Sequence, residues 1–314
     1  MPANVETMFY TSNDANQRFV PWHGLGTPVQ ESPTSADALR LAGLDWNVLQ
    51  KPVYTDGVEI PNYKANVRSS DNSVLGIVTD RYQIVQNTEA FDFTDALLGE
   101  GVRYETAGSL RNGRTIWLLA KMPTTTILGD AVDPYLCFTN SHDGTGAIKV
   151  CSTPVRVVCN NTLNIALAGA KRCWSTKHMG DINSKMQEAK HTLGLANKYI
   201  DGLAKEADVL ANSKVSFEEI NKILDELFPV SEDASDRAKN NAKKAKDEIL
   251  VCYYAPDIQK FLGTKYGFVN AVADWCDHAT PARMTSEYRA NNWGRIIDGH
   301  PILDKAYELV TAKQ

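Results

Sequence analysis

Three groups of side chains in this sequence have types and spacings that could do chemistry. The largest is basic and aromatic: Arg103, Tyr104, Arg111, Arg114, Trp117, Lys121, Lys149 and Arg156, followed by Lys171 and Arg172. Arg81-Tyr82 precedes it, and Trp174-Ser175-Thr176-Lys177 extends it. Cations that neutralise phosphates, interleaved with aromatic faces on which bases stack, are what a protein needs to hold a single nucleic-acid strand without reading its sequence. In that assignment Arg111, Arg114, Lys149 and Arg156 contact phosphates, and Tyr104 and Trp117 are the stacking platforms. A solvated sheet surface accounts for the same mixture equally well. The second group, Asp274, Asp277 and His278, has helical spacings of three and four that could hold a metal ion or a proton relay, although a histidine capping a helix C-terminus has the same pattern. The third, Asp143-Gly144-Thr145-Gly146, has the glycines of a phosphate loop but no Gly-Lys-Ser/Thr after them, and a hairpin turn accounts for it.

No reaction can be named from these residues. His23, His142, His178, His191, His278 and His300 lie in no recognisable nucleophile setting, and the nucleophile-elbow pattern is absent. Neither catalytic residues nor a cofactor are expected. The six cysteines (Cys137, Cys151, Cys159, Cys173, Cys252, Cys276) include no Cys-x-x-Cys pair. They read as small buried hydrophobes in a reducing compartment rather than as disulfides or a zinc site.

The run from Thr153 to Leu167 plants Arg156, Asn160, Asn161 and Asn164 among apolar residues. Buried polar groups must be paired, so these signal a purpose. Arg156 fits a phosphate contact and fits equally an arginine that points inward to pair with an acid such as Asp143. The asparagines fit a helix cap and buried hydrogen-bond partners better than ligand contacts.

Composition sets the frame for these groups. In 314 residues, 43% are hydrophobic and 23% charged, as in an ordinary globular protein. No apolar stretch is long enough to span a membrane and the first residues lack the pattern of a signal peptide, so a cytoplasmic protein is expected. The net charge is −5, but residues 101 to 180 hold nine Lys/Arg against four acids, leaving the centre at +5 and the remainder at −10. A basic centre inside an acidic molecule can hold a polyanion locally, while the overall acidity counts against a dedicated duplex binder.

The elements that must position these residues follow from periodicity and turn signals. A short helix is predicted from Ser35 to Leu44, and hairpin strands around Tyr63 to Arg68 and Val74 to Val78, broken at Asp71-Asn72. An amphipathic helix is predicted from Thr88 to Leu98. Val102 to Leu110 and Thr115 to Met122 flank the turn Arg111-Asn112-Gly113, and Tyr135 to Asn140 and Ala147 to Ser152 flank His142 to Gly146. A helix capped by Asn160 or Asn161 is predicted to about Ala170. Beyond Gly180 the pattern is helical. Met186, Ala189, Leu193, Ala196, Ile200, Leu203, Ala207 and Leu210 form a narrow stripe that must pack on the sheet or on another subunit. Helices follow at Phe217 to Phe228, Ser231 to Tyr254, Phe268 to Cys276 and Ile302 to Thr311.

The Pro21-Trp22-His23-Gly24-Leu25-Gly26 knot, the run from Pro154 to Leu163 and the segment from Asn270 to His278 together resemble a family of phage- and plasmid-borne proteins of unknown function, of the domain of unknown function 932 type. The likeness spans nearly the whole chain. It implies a mobile genetic element in a bacterial host cell, and no activity. In element order, hairpins crossed by a long helix look like the single-strand annealing proteins of phages, which form rings with DNA in a basic groove; that likeness is an analogy of fold.

The expectation is therefore an α+β protein. Residues 1–180 form an antiparallel hairpin sheet covered by helices, with a basic centre. Residues 181–314 form a mainly helical section packing on the sheet or on a neighbouring subunit. The expected function is non-catalytic single-stranded DNA binding and annealing in phage recombination, as a homo-oligomer. An oligomeric interaction protein, for example one that binds a host defence component, is the alternative. A metal-dependent nuclease or hydrolase built on His23 and the Asp274/Asp277/His278 group is the weaker one.

Overall fold

The computed structural model describes residues 5–11, 27–29, 34–98, 104–156, 173–279 and 299–312. Within these, the chain is α+β, with one large and one small sheet and helices in the C-terminal part.

The large sheet is built from β1 (Val5–Thr11), β2 (Thr27–Val29), β6 (Tyr104–Leu110), β7 (Thr115–Lys121), β8 (Thr125–Ile127), β9 (Asp130–Ser141), β10 (Ile148–Arg156) and β11 (Cys173–Thr176). Its order is β11-β10-β9-β7-β6-β1-β2, with β8 folded back on β9, and every pair is antiparallel except β1 with β2. The central strands are buried on both faces, so β7 (Thr-Ile-Trp-Leu-Leu-Ala-Lys) is an almost continuous apolar run instead of an alternating one. Ile116, Leu118, Leu136, Phe138 and Val150 fill one face, under α1 (Ser35–Leu41), α2 (Asn87–Leu98) and the first turns of α3 (Ile182–Asn212). Leu119, Tyr135, Cys137 and Cys151 lie on the other.

The small sheet is a meander of β3 (Val48–Thr55), β4 (Val58–Arg68) and β5 (Val74–Thr79). It is seated on the loop after β9. The Asn66 side-chain amide donates to the His142 carbonyl at 2.7 Å, and the Tyr82 hydroxyl donates to the Ser141 carbonyl at 2.5 Å. Gly76 makes this approach possible: a Cβ there would stand 2.6 Å from the Asp143 Cα, inside any real contact distance.

The helical section comprises α3, α4 (Phe217–Leu227), α5 (Asp236–Tyr253), α6 (Lys265–His278) and α7 (Pro301–Thr311). Its ends are specified locally. The Ser216 hydroxyl and the Glu219 carboxylate cap each other's backbone N–H at the start of α4, and Asp181 caps α3 through the Ser184 N–H. These helices share one core with Ile127 and Val132 of the sheet. The apolar stripe of α3 is what joins the two halves: Met186 belongs to the core under the sheet, and Leu203, Ala207 and Leu210 belong to the helical core. The described part of that stripe therefore packs within the chain.

One expectation is overturned here, and others fall outside the described residues. Cys151 and Cys173 are not lone buried hydrophobes; they are directly opposite on β10 and β11 and form a disulfide. Spacing along the chain gives no hint of this pairing, which only the strand register creates. The Pro21–Gly26 knot, the helix expected after Asn160 and residues Arg103, Lys171 and Arg172 lie outside the described residues.

Candidate nucleic-acid interface

The expected stacking platforms are core residues. Trp117 is 2% exposed and Tyr104 is fully buried, with its hydroxyl donating to the Asp95 carboxylate at 2.7 Å. Burial, reinforced by that carboxylate, pushes the Tyr104 phenol far above its ordinary pKa. Neither ring offers a face to a base. Both strands are interior strands covered on each side, which is why their aromatic residues fill the core. Lys121 is likewise committed within the protein: its ammonium meets the buried Asp133 carboxylate at 2.6 Å, and the Thr124 hydroxyl donates to the other oxygen of that carboxylate. Of Arg156 only the backbone is described, paired with Val132.

The remaining cations gather at one end of the large sheet. Arg111 and Arg114 are exposed in the β6–β7 turn. Thr115, next in sequence, pairs with Ser141 at the end of β9, and the Arg114 carbonyl accepts the His142 N–H at 2.7 Å. On β10, Lys149 pairs with Thr139 on one side and Ser175 on the other, which places it near the same end. Lys177, exposed, follows β11 there. At about 4.8 Å per strand, the edge from β7 to β11 is roughly 14 Å long. Arg81, also exposed, approaches through Gln83, whose N–H donates to the His178 carbonyl at 2.9 Å.

Arg111 also occupies an unusual backbone conformation. Its φ is +54°, followed by +58° at Asn112 and +79° at Gly113. The left-handed region costs a residue with a Cβ about 1 kcal/mol or more, so a turn selected for its backbone alone would carry Gly or Asn at this position.

Behind the cationic edge lies a buried polar seam that sequence reasoning missed. The Asn87 side-chain amide donates to the carbonyls of Leu44 and Trp46, so its oxygen faces His142 Nε2, 2.9 Å away, and must accept a proton from it. His142 is therefore the neutral Nε2–H tautomer. Burial, with the nearby His178, pushes its pKa down to about 3 against the pull of Asp143. His178 is the opposite tautomer: Nδ1–H donates to the Gln83 carbonyl at 2.9 Å, and its ring stacks on Tyr82 with centroids 4.5 Å apart. Burial lowers its pKa as well. Asp143 is half-buried, which raises its pKa, but hydrogen bonds from Ser141 and Thr145, with the Arg111 charge, outweigh that and hold it below the usual carboxylate range. Asp143 therefore lies beside Arg111 at this end of the sheet, with one carboxylate oxygen held by Ser141 and Thr145.

Outside this region, His278 Nδ1 bonds the Asp274 carboxylate one turn earlier at 2.8 Å. Among the described residues, no group of three or more His, Cys, Asp or Glu side chains is arranged to hold a metal ion. No described helix is long and apolar enough to cross a membrane.

A further surface was not anticipated. The outer face of the small sheet presents Leu49 and Val74 on either side of the buried Val67, Lys51 and Ile77 on either side of Ala65, and Tyr63 opposite Thr79. Tyr63 is 48% and Ile77 58% exposed, so this face is apolar and open to solvent in the single chain. Alternation along Tyr63 to Val67 was the available signal, but it shows only that one face differs from the other.

No curated protein and no solved structure matches this chain. The model of the family described as domain of unknown function DUF932 matches residues 74–294, which include the cationic edge, the polar seam and most of the helical section. With well over half of its length covered by that model, the chain belongs to the DUF932 family.

Proposed function

We propose that this protein is a non-catalytic single-stranded DNA-binding protein that grips the phosphate backbone along the cationic end of its large sheet. The observation that carries this reading is the strand register, which gathers Arg111, Arg114, Lys149 and Lys177, far apart in sequence, on one edge. The positive φ at Arg111, a position where Gly or Asn costs less, supports a use for its side chain. Base stacking does not come from Tyr104 or Trp117. Tyr63, paired with Thr79 two residues before Arg81, is an exposed aromatic residue that could supply it. Annealing in phage recombination is the cellular role this reading favours.

The test is fluorescence anisotropy of a labelled oligonucleotide across a salt series. Four phosphate contacts on a single strand give a slope of log K against log salt of about −3. Binding that ignores salt, or no binding at low salt, removes the proposal.

A second reading rests on the apolar outer face of the small sheet: an oligomeric interaction protein in which that face meets a second copy of the chain. Sedimentation velocity separates the two readings. Under the second, the wild type sediments as an oligomer that Ile77→Glu dissociates; a wild type that sediments as a single chain contradicts it.

A further inference from the structure

Three cysteines stand in one row across adjacent strands. Cys137 on β9 is directly opposite Cys151 on β10, and Cys151 is directly opposite Cys173 on β11. Cys151 and Cys173 are joined as a disulfide, with Cα atoms 4.1 Å apart, and Cys137 carries a thiol. Cys137 and Cys151 are fully buried in the same small cluster, against which Cys173 packs half-exposed at the sheet edge.

Directly opposed residues in an antiparallel sheet are about 4.5 to 5.5 Å apart, and a row of them runs nearly straight across the strands. Thiol–disulfide exchange requires an attacking sulfur to approach the central sulfur opposite the one that leaves. The row 137–151–173 presents that order: attacker, centre and leaving group. The 4.1 Å spacing marks Cys151 and Cys173 as a pair without mutual backbone hydrogen bonds, so Cys151 directs its backbone bonds towards β9 and pairs with Cys137 at the wider spacing. That wider spacing still lies within the range a disulfide spans.

We propose that these three cysteines form an internal thiol–disulfide exchange site, in which Cys137 displaces Cys173 from Cys151. The Cys137 sulfur, as thiolate, bonds to the Cys151 sulfur; the Cys151–Cys173 bond breaks; and Cys173 leaves as thiolate and takes up the proton that Cys137 gave to solvent. One disulfide and one thiol are present before and after, so no oxidant or reductant is consumed. The covalent tie moves from β10–β11 to β9–β10. Edge strand β11 and the stretch of chain between residues 151 and 173, which carries Arg156, Lys171 and Arg172, are released from a closed loop. The thiol moves from a buried strand to the sheet edge, where a modifying group can reach it.

The experiment uses the full chain with Cys159→Ser, so that a fourth cysteine in the same stretch cannot join. The protein is incubated at pH 8 without reductant, alkylated with iodoacetamide at intervals, and digested under acidic conditions for mass spectrometry of linked peptides. The expected result is a growing Cys137–Cys151 linked peptide with matching alkylation at Cys173. In Cys137→Ala, and in the milder Cys137→Ser should the first fail to fold, Cys173 stays linked to Cys151 and unmodified. Persistence of the Cys151–Cys173 link alone, alkylation of Cys173 at the same rate with and without Cys137, or absence of any disulfide in protein kept in air overturns the proposal.

Discussion

His142 Nε2 and the Asn87 side-chain oxygen meet at 2.9 Å in the interior, and this contact fixes which ring nitrogen of His142 carries the proton. The same asparagine spends its two amide hydrogens on the carbonyls of Leu44 and Trp46. One side chain thus ties the loop after α1, the start of α2 and the loop after β9 together, and that loop is also the seat of the small sheet and the floor of the cationic edge.

Removing Asn87 exposes the dependence. Asn87→Ala leaves the His142 N–H and two carbonyls without this partner in a buried site, and a loss of about 3 kcal/mol in unfolding free energy is expected from denaturant titration. A loss below about 1 kcal/mol contradicts the assignment.

Protonation of His142 opposes folding. Its folded pKa is depressed to about 3, so as the pH falls below about 6.5 the unfolded chain binds protons before the folded one does. Stability is full above that pH and falls as the pH goes down, by up to about 1.4 kcal/mol per pH unit for this one group. His178, shifted in the same direction, adds to the slope, whereas His278, raised by Asp274, opposes it. Melting temperatures between pH 7 and pH 4.5, above the ordinary carboxylate range, are expected to drop in the wild type. The drop is shallower in a His142→Gln variant.

Lys121 serves the fold and not a ligand. Asp133 is buried, and Lys121→Met leaves its carboxylate with the Thr124 hydroxyl but without the ammonium. A destabilisation of about 3 kcal/mol is expected. The oligonucleotide affinity of the folded fraction stays the same; a fall in affinity without a fall in stability contradicts this placement.

Arg111 sets stability against binding. Arg111→Gly relieves a left-handed backbone at φ +54° and is expected to raise stability by about 1 kcal/mol while it weakens oligonucleotide binding severalfold. An unchanged affinity shows that the turn, and not the guanidinium, is what this position provides.

The hairpins were legible because their turns are written in local chemistry: Arg111-Asn112-Gly113 adopts three successive positive φ values, and β6 and β7 begin and end within a residue or two of expectation. The helices of the second half were legible for a similar reason, in their caps and apolar spacing. Which sheet face is buried was not legible. A strand such as Thr115–Lys121 is apolar throughout because both faces are covered, so nothing in its pattern shows Trp117 turned inward. Contacts set by register were hidden too. Lys121 reaches Asp133 only because β7 pairs with β9, and Cys151 finds Cys173 only because β10 pairs with β11. His142 stood in a polar, glycine-rich turn, where local composition predicts solvent, and it is buried because the small sheet closes over that turn.

The most direct measurement is the salt dependence of single-stranded oligonucleotide binding for the wild type and for the combined variant Arg111→Ala, Arg114→Ala and Lys149→Ala. The wild type is expected to lose affinity with a log–log slope of about −3, and the variant to retain its melting temperature with the slope reduced by about 2. Equal slopes for the two proteins, or no detectable binding of the wild type at low salt, contradict a phosphate grip at the end of the sheet.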